Sequence, residues 1–139
     1  MPTAKEFAIR MEDRPGTLGK VSRVLSSRGV NILAFQSFPA KKGQALARIV
    51  VDDPTAGKKA LDSEGLTYTE AEVVQLKFPH RPGELSRTAS RLGEANINIH
   101  YSYGGVEPGT NLHLLIFGVA NTGRALTILE PAAAAAAAT

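Results

Sequence analysis

The chain has 139 residues, of which 43% are hydrophobic, and it contains neither cysteine nor tryptophan. This composition supports a folded core, and the lack of cysteine excludes disulfide bonds, thiolate nucleophiles, zinc ribbons and iron–sulfur clusters. Sixteen Lys and Arg against 13 Asp and Glu give a net charge of +3, and because the basic residues are scattered, we expect no nucleic-acid interface.

The first predicted elements are a strand, a tight turn and a helix. Apolar and polar side chains alternate over Phe7–Arg10, as in a half-buried strand. From Leu18 to Leu25 the apolar residues recur at a spacing of three and four, which predicts an amphipathic helix. We place Pro15 in the first turn of this helix, where a missing N–H costs nothing, and Gly16 lets a backbone or a ligand approach closely.

The rest of the first half predicts a hairpin, a second helix and a last strand. The segments Val30–Phe35 and Ala45–Val51 are rich in β-branched and aromatic residues and flank a Gly-containing loop, which predicts a hairpin. Asp52–Thr55 is typical of a helix start, and helix capping explains its two carboxylates better than catalysis does. Gly65 ends this helix, and Leu66–Thr69 again has strand character.

The second half repeats the first at a constant offset of 67 positions. The matching positions are Arg14-Pro15-Gly16 and Arg81-Pro82-Gly83, Leu18 and Leu85, Leu25 and Leu92, and Asn31-Ile32 and Asn98-Ile99. Gly29 corresponds to Asn96, and these two residue types most readily adopt the left-handed conformation that closes a helix. The offset therefore predicts the same element order in both halves.

The elements of the second half follow that order until the end. We expect a strand at Val74–Lys77, a helix after Gly83, a hairpin from Ile97–Tyr101 and Leu112–Val119, and a helix near residues 122–129. No residue beyond this helix offers a fourth strand, because a proline and then seven alanines follow.

These elements predict an α+β protein made of two ferredoxin-like βαββαβ modules in tandem. Each module is an antiparallel sheet with helices on one face, and the second lacks a clear last strand. We assign residues 1–70 to the first module and 71–131 to the second. The alanine-rich tail, residues 132–139, receives no function.

The segments Asp13–Leu18 and His80–Leu85, each followed by an Asn-Ile pair after a helix, resemble the ACT domain family of small regulatory modules that bind amino acids. The resemblance extends over nearly the whole chain and implies a stand-alone tandem ACT protein with no enzyme domain attached. It also implies modules that pair side by side, with the ligand at the seam between them. The turn after the first strand and the start of the second strand would hold that ligand.

The resemblance implies candidate binding residues in each of the two repeats. The candidate ligand-binding residues are Asp13, Gly16, Thr17, Leu18, Asn31, Ile32, His80, Gly83, Glu84, Leu85, Asn98 and Ile99. Free N–H groups at the two helix N-termini suit an α-carboxylate, because the helix dipole favours an anion there. An acidic side chain such as Asp13 suits the α-ammonium, and the two Asn side chains offer both a donor and an acceptor.

The two turns differ where His80 stands in place of Asp13. The first turn is therefore the better ammonium site, while Glu84, shifted along the second turn, leaves that turn an open question. Asp13 fits a helix cap equally well, and Asn31 and Asn98 also fit structural bridges between turn and sheet. The three histidines lack the spacing of a metal site, so we expect no metal and no cofactor.

We expect a non-catalytic regulatory protein that binds a small-molecule amino acid and thereby shifts module pose or oligomeric state. No enzyme is expected, because the sequence shows no nucleophile beside a base and no phosphate loop. The alternative is a protein-interaction or dimerisation module that acts on a partner enzyme without a ligand. Unpaired sheet edges favour a homodimer. The charged amino terminus and the short apolar runs favour a cytoplasmic protein without a membrane span.

Overall fold

The computed structural model describes residues 3–106 and 109–129, and the alanine-rich tail lies outside the described residues. The chain divides into two compact units. The first unit is Lys5–Ala71, and the second consists of the described residues from Glu72 onward together with Thr3 and Ala4. Within the part of the chain that the structure describes, no helix is long and apolar enough to cross a membrane.

The first unit combines strands and helices in the order βαββαβ. Its elements are β1 (Thr3–Glu12), α1 (Thr17–Ser26), β2 (Ile32–Pro39), β3 (Gln44–Val51), α2 (Pro54–Ser63) and the start of β4 (Tyr68–Pro79). The sheet order is β2-β3-β1-β4, and β3 pairs antiparallel with both of its neighbours. The strand order places β2 at the edge of this sheet.

The core of the first unit lies between one face of its sheet and its two helices. Phe7 and Ile9 on β1 pair across the sheet with Ile49 and Ala47 on β3, and all four side chains are fully buried. Helix α2 approaches the sheet closely at Gly57, where an added Cβ would lie 3.3 Å from the Phe7 ring. Because apolar residues alternate along these strands, their side chains share one face of the sheet, and this face packs against the helices.

The second unit has a second hydrophobic core of its own. Its elements are β4 from Glu72 onward, α3 (Glu84–Glu94), β5 (Tyr101–Val106), β6 (Leu112–Gly118) and α4 (residues 122–129). The sheet order is β4-β6-β5, and β6 pairs antiparallel with both neighbours. No strand follows β6 among the described residues of this half. The expected lack of a last strand concerns the residues after 129, which lie outside the described residues.

The repeat predicted from the sequence has matching backbone geometry. Gly16 and Gly83 both have φ of 92°, and each caps the N-terminus of the helix that follows. Gly29 and Asn96 have φ of 70° and 59°, so both close their helices in the left-handed conformation. The pairing of Gly29 with Asn96 is thereby confirmed.

Two details differ from the prediction. The strand expected at Leu66–Thr69 begins only at Tyr68, and it forms one continuous strand, β4, with the strand expected at Val74–Lys77, because no Gly or Pro lies between them to interrupt it. Pro15 and Pro82 lie ahead of the helices and not in their first turns, since the left-handed glycine that follows each proline is the helix cap.

Candidate functional site

The first turn, Asp13–Leu18, is held in shape by hydrogen bonds to backbone carbonyl oxygens. The Thr17 hydroxyl donates hydrogen bonds to the carbonyl oxygens of Glu12 and Arg14, at 2.8 and 3.0 Å. The Asp13 N–H donates to the Gly43 carbonyl at 3.1 Å. Asp13 does not cap α1, because the cap is Gly16, which has no side chain to accept a hydrogen bond. The Asp13 carboxylate is exposed and takes no part in these hydrogen bonds.

A cleft of about 340 Å³ opens beside this turn, and we call it the first-turn cleft. Its lining residues are Met11, Asp13, Arg14, Pro15, Gly16, Thr17, Leu18, Gly19, Ser37, Phe38, Pro39 and Ala45. They come from the end of β1, the start of α1, the end of β2 and the start of β3, all within the first unit. The volume lies at the small end of the range for small-molecule sites.

The cleft combines charged, amide and apolar groups. The first N–H groups of a helix have no partner within the helix, and the residues that carry them in α1, Thr17–Gly19, line the cleft. Of these groups, the Thr17 N–H donates to the Arg14 carbonyl oxygen at 3.4 Å. Arg14 pairs through Nε with the Glu12 carboxylate, and since both side chains are about two-thirds exposed, this ion pair is weakly held. The half-buried Phe38 supplies an apolar wall, and the guanidinium of Arg48 lies 5.3 Å from its ring centroid. These groups suit a small molecule that carries an anion, a cation and an apolar part.

Asn31 and Ile32 lie at the opposite end of β2 from the first-turn cleft. The seven residues from Asn31 to Ser37 span about 20 Å in an extended strand. Asn31 exchanges hydrogen bonds with Asp52, whose carboxylate accepts from the Asn31 N–H at 3.0 Å and from Nδ2 at 3.1 Å. Within one unit, the structure therefore does not bring Asn31 together with Asp13.

The second turn, His80–Leu85, carries a buried carboxylate. Glu84 is only 3% exposed, and its carboxylate accepts hydrogen bonds from Arg81 Nε and, at 3.3 Å, from both terminal nitrogens of Arg87. The hydrogen bond from Arg81 holds the pKa of Glu84 below its ordinary value, against the opposing effect of burial. The Glu84 carboxylate therefore pairs with two guanidinium groups of its own unit.

The remaining candidates of the second repeat have local partners or lie at the surface. The His80 N–H donates to the Asn111 carbonyl at 2.9 Å, and its ring meets the His113 ring edge-on with centroids 6.1 Å apart. Leu85 is half exposed, and Ile99 packs against the core of the second unit. Asn98 Nδ2 lies 3.4 Å from His100 Nδ1.

Two features of these turns were not predicted from the sequence. Ser37 and Phe38 line the first-turn cleft through strand pairing, and Met11 lines it from the end of β1. The ion pairs of Glu84 with Arg81 and Arg87 were also not predicted, although the spacing of three residues on either side of Glu84 is a recognisable ion-pair signal. The expected capping by Asp53 is confirmed, because its carboxylate accepts from the Ala56 N–H at 3.1 Å.

Comparison with known proteins finds a family model that matches part of the chain. Residues 6–60 match the family model described as the ACT domain. No curated protein sequence is significantly similar to the chain.

Three solved structures share the fold. A protein from Bacteroides thetaiotaomicron is 24% identical with a TM-score of 0.84, and the match covers 94% of this chain and 88% of that one. The regulatory subunit of aspartate kinase from Thermus flavus is 16% identical with a TM-score of 0.65, covering 94% and 90%. The ligand-free regulatory subunit of aspartate kinase from Thermus thermophilus is 18% identical with a TM-score of 0.61, covering 94% and 91%. Residues 6–60 thus match the ACT domain, and the chain shares its fold with these three structures.

Proposed function

We propose that the chain is a regulatory protein that binds a small α-amino acid in the first-turn cleft. The observation that carries the proposal is the meeting of a helix N-terminus, an exposed carboxylate and an apolar wall in one cleft of about 340 Å³. The regulatory role is supported by the ACT domain match and by the fold shared with regulatory subunits of aspartate kinase.

Each part of an amino acid has a matching group in the first-turn cleft. The α-carboxylate binds to the first N–H groups of α1, where the helix dipole favours an anion. The α-ammonium binds to the Asp13 carboxylate, which is free of any role in capping the helix. Met11, Leu18 and Phe38 provide the apolar surface for the ligand side chain.

The seam expected from the sequence would form between two copies of the chain, and the second copy would complete the site. No described strand pairs with the outer side of β2 in the first unit, and Leu33 and Phe35 on this strand are 47% and 55% exposed. If two β2 edges pair antiparallel, the start of one strand lies beside the end of the other. Asn31 and Ile32 of the second copy would then approach the first-turn cleft. A homodimer through β2 is therefore part of the proposal.

The test begins with a thermal-shift scan of the purified protein against the twenty amino acids at millimolar concentration. Calorimetric titration of the responding amino acid then compares the unmodified protein with Asp13→Asn. We expect the substitution to weaken binding by about ten- to a hundredfold, because it removes a charge-assisted hydrogen bond to the ammonium. Sedimentation of the same samples measures whether the 14.7 kDa chain is dimeric and whether the ligand changes its mass.

Glu64→Gln is the matched control, because it also removes one exposed carboxylate from the first unit but lies outside the first-turn cleft. It should leave the affinity unchanged. Equal affinity in the unmodified protein and in Asp13→Asn would contradict the assignment of the ammonium site. A response to none of the twenty amino acids, with a dimer present, would instead favour the interaction module that acts on a partner enzyme. The non-catalytic role and the cytoplasmic location stay predictions from the sequence.

A further inference from the structure

The second turn differs from the first at the position that begins the helix. Thr17 begins α1, and Glu84 begins α3 at the corresponding position of the repeat. Thr17 uses its hydroxyl to bond two carbonyl oxygens of its own turn. Glu84 instead places a carboxylate that is 3% exposed against Arg81 and Arg87. The second turn thus contains an anion that belongs to the chain itself.

The arginine that precedes each turn has a different partner in the two repeats. Arg14 pairs with Glu12, and both side chains are largely exposed. The position that corresponds to Glu12 in the second repeat is Pro79, which offers no carboxylate. Arg81 therefore pairs with Glu84, a partner on the other side of the glycine cap. An exposed ion pair contributes little to stability, whereas separating a buried carboxylate from its partners is costly. We therefore expect the Arg81–Glu84 ion pair to be held more firmly than the Arg14–Glu12 ion pair.

The charge state of Glu84 supports this difference. The hydrogen bond from Arg81 lowers the pKa of Glu84 more than burial raises it, so the carboxylate stays ionised at neutral pH. An acidic residue in the first turn of a helix is also favoured by the helix dipole. The N-terminal end of α3 thus holds a permanent negative charge, whereas the first turn of α1 has no acidic residue.

We infer that Glu84 closes the second turn to ligand anions, because its own carboxylate already pairs with the two guanidinium groups that such an anion would meet. The two turns of one chain then provide one anion site instead of two. Replacing Glu84 by Thr, the residue at the same position of the first repeat, opens a second anion site formed by Arg81, Arg87 and the first N–H groups of α3. The inference rests on the proposed function in one respect only: the proposed function names the ligand anion, an α-carboxylate, that Glu84 excludes from the second turn.

The experiment titrates ¹⁵N-labelled protein with sodium sulfate at constant ionic strength and follows the backbone amide signals of residues 84–86. In the unmodified protein we expect no saturable shift of these signals. In Glu84→Thr we expect saturable shifts, because sulfate binds where the carboxylate was. In the double variant Arg81→Ala, Glu84→Thr the half-saturating sulfate concentration should rise about tenfold or saturation should disappear, since one guanidinium is lost.

Two outcomes would overturn the inference. Saturable shifts in the unmodified protein as strong as those in Glu84→Thr would show that Glu84 does not close the turn. An unresponsive Glu84→Thr that is folded would show that its removal opens no anion site. If Glu84→Thr does not fold, Glu84→Ala also removes the carboxylate from this position and carries the same expectation. Sulfate titration of residues 84–86 does not depend on amino-acid binding at the first turn, so failure of the proposed function leaves this result unaffected.

Discussion

Gly16 and Gly83 adopt the same left-handed conformation, with φ of 92° in both turns. Residues with a Cβ adopt this conformation only at a cost of about 1–2 kcal/mol, because Cβ then approaches the neighbouring carbonyl oxygen. An added Cβ would meet no atom within 4 Å at either position. The requirement for glycine therefore comes from the backbone angle and not from the surrounding space.

The backbone requirement at Gly16 predicts the result of a paired substitution. Gly16→Ala should destabilise the protein by about 1 kcal/mol, because the strain exceeds the entropy gained by restricting the unfolded chain. Gly19→Ala lies three residues later inside α1, also with nothing within 4 Å, and should stabilise the protein by about 0.5–1 kcal/mol. Urea unfolding of the two variants measures both changes. Equal effects of the two substitutions would contradict the assignment of strain to Gly16.

At the scale of elements, the helix starts use two kinds of capping device. Helices α1 and α3 begin after a left-handed glycine without a side-chain cap, whereas α2 begins at Asp53, which accepts a hydrogen bond from the Ala56 N–H at 3.1 Å. The neighbouring Asp52 is used differently, because it bonds Asn31 at the start of β2. Two adjacent aspartates thus stabilise two different elements: Asp53 caps α2, and Asp52 holds the start of β2.

The cap of α2 can be tested directly. Asp53→Ala should lower the free energy of unfolding by about 1 kcal/mol, because the Ala56 N–H loses its acceptor. Asp53→Ser keeps an oxygen acceptor and should retain most of the stability. Both values come from denaturant unfolding followed by circular dichroism. A loss as large in Asp53→Ser as in Asp53→Ala would indicate that the charge of Asp53, and not its hydrogen bond, stabilises the helix.

At the scale of the whole molecule, each unit has its own hydrophobic core. Leu25 is fully buried in the core of the first unit, and Leu92, at the corresponding position of the repeat, is fully buried in the core of the second. The strand β4 is a single element, yet Tyr68–Ala71 belong to the first unit and the strand from Glu72 onward to the second. We propose that the modules assigned from the sequence, residues 1–70 and 71–131, unfold as distinct units.

Two matched substitutions test this proposal. Leu25→Ala and Leu92→Ala should each cost about 2–5 kcal/mol, because each leaves a cavity in a closed core. Native-state hydrogen exchange should show the larger loss of protection in α1 for Leu25→Ala and in α3 for Leu92→Ala. A similar loss of protection in both helices for both variants would contradict the proposal, since the chain would then unfold as one cooperative unit.

The sequence by itself determined the local structure of this protein. The offset of 67 positions predicted both glycine turns, the left-handed closures at Gly29 and Asn96, and the amphipathic helices from Leu18 and from Leu85. Such features depend on the conformational preferences of a few neighbouring residues and on the side-chain period of an element. They are therefore readable without knowledge of the rest of the chain.

The tertiary structure alone decided which side chains meet. Strand pairing brings Phe38 to the first-turn cleft and separates Asn31 from it, and Asn31 bonds Asp52, 21 positions later in the chain. The partners of Glu84 depend on how two long arginine side chains fold back over a buried carboxylate. These contacts follow from strand register and from the packing and solvation of flexible side chains, and a periodic pattern in the sequence contains none of that information.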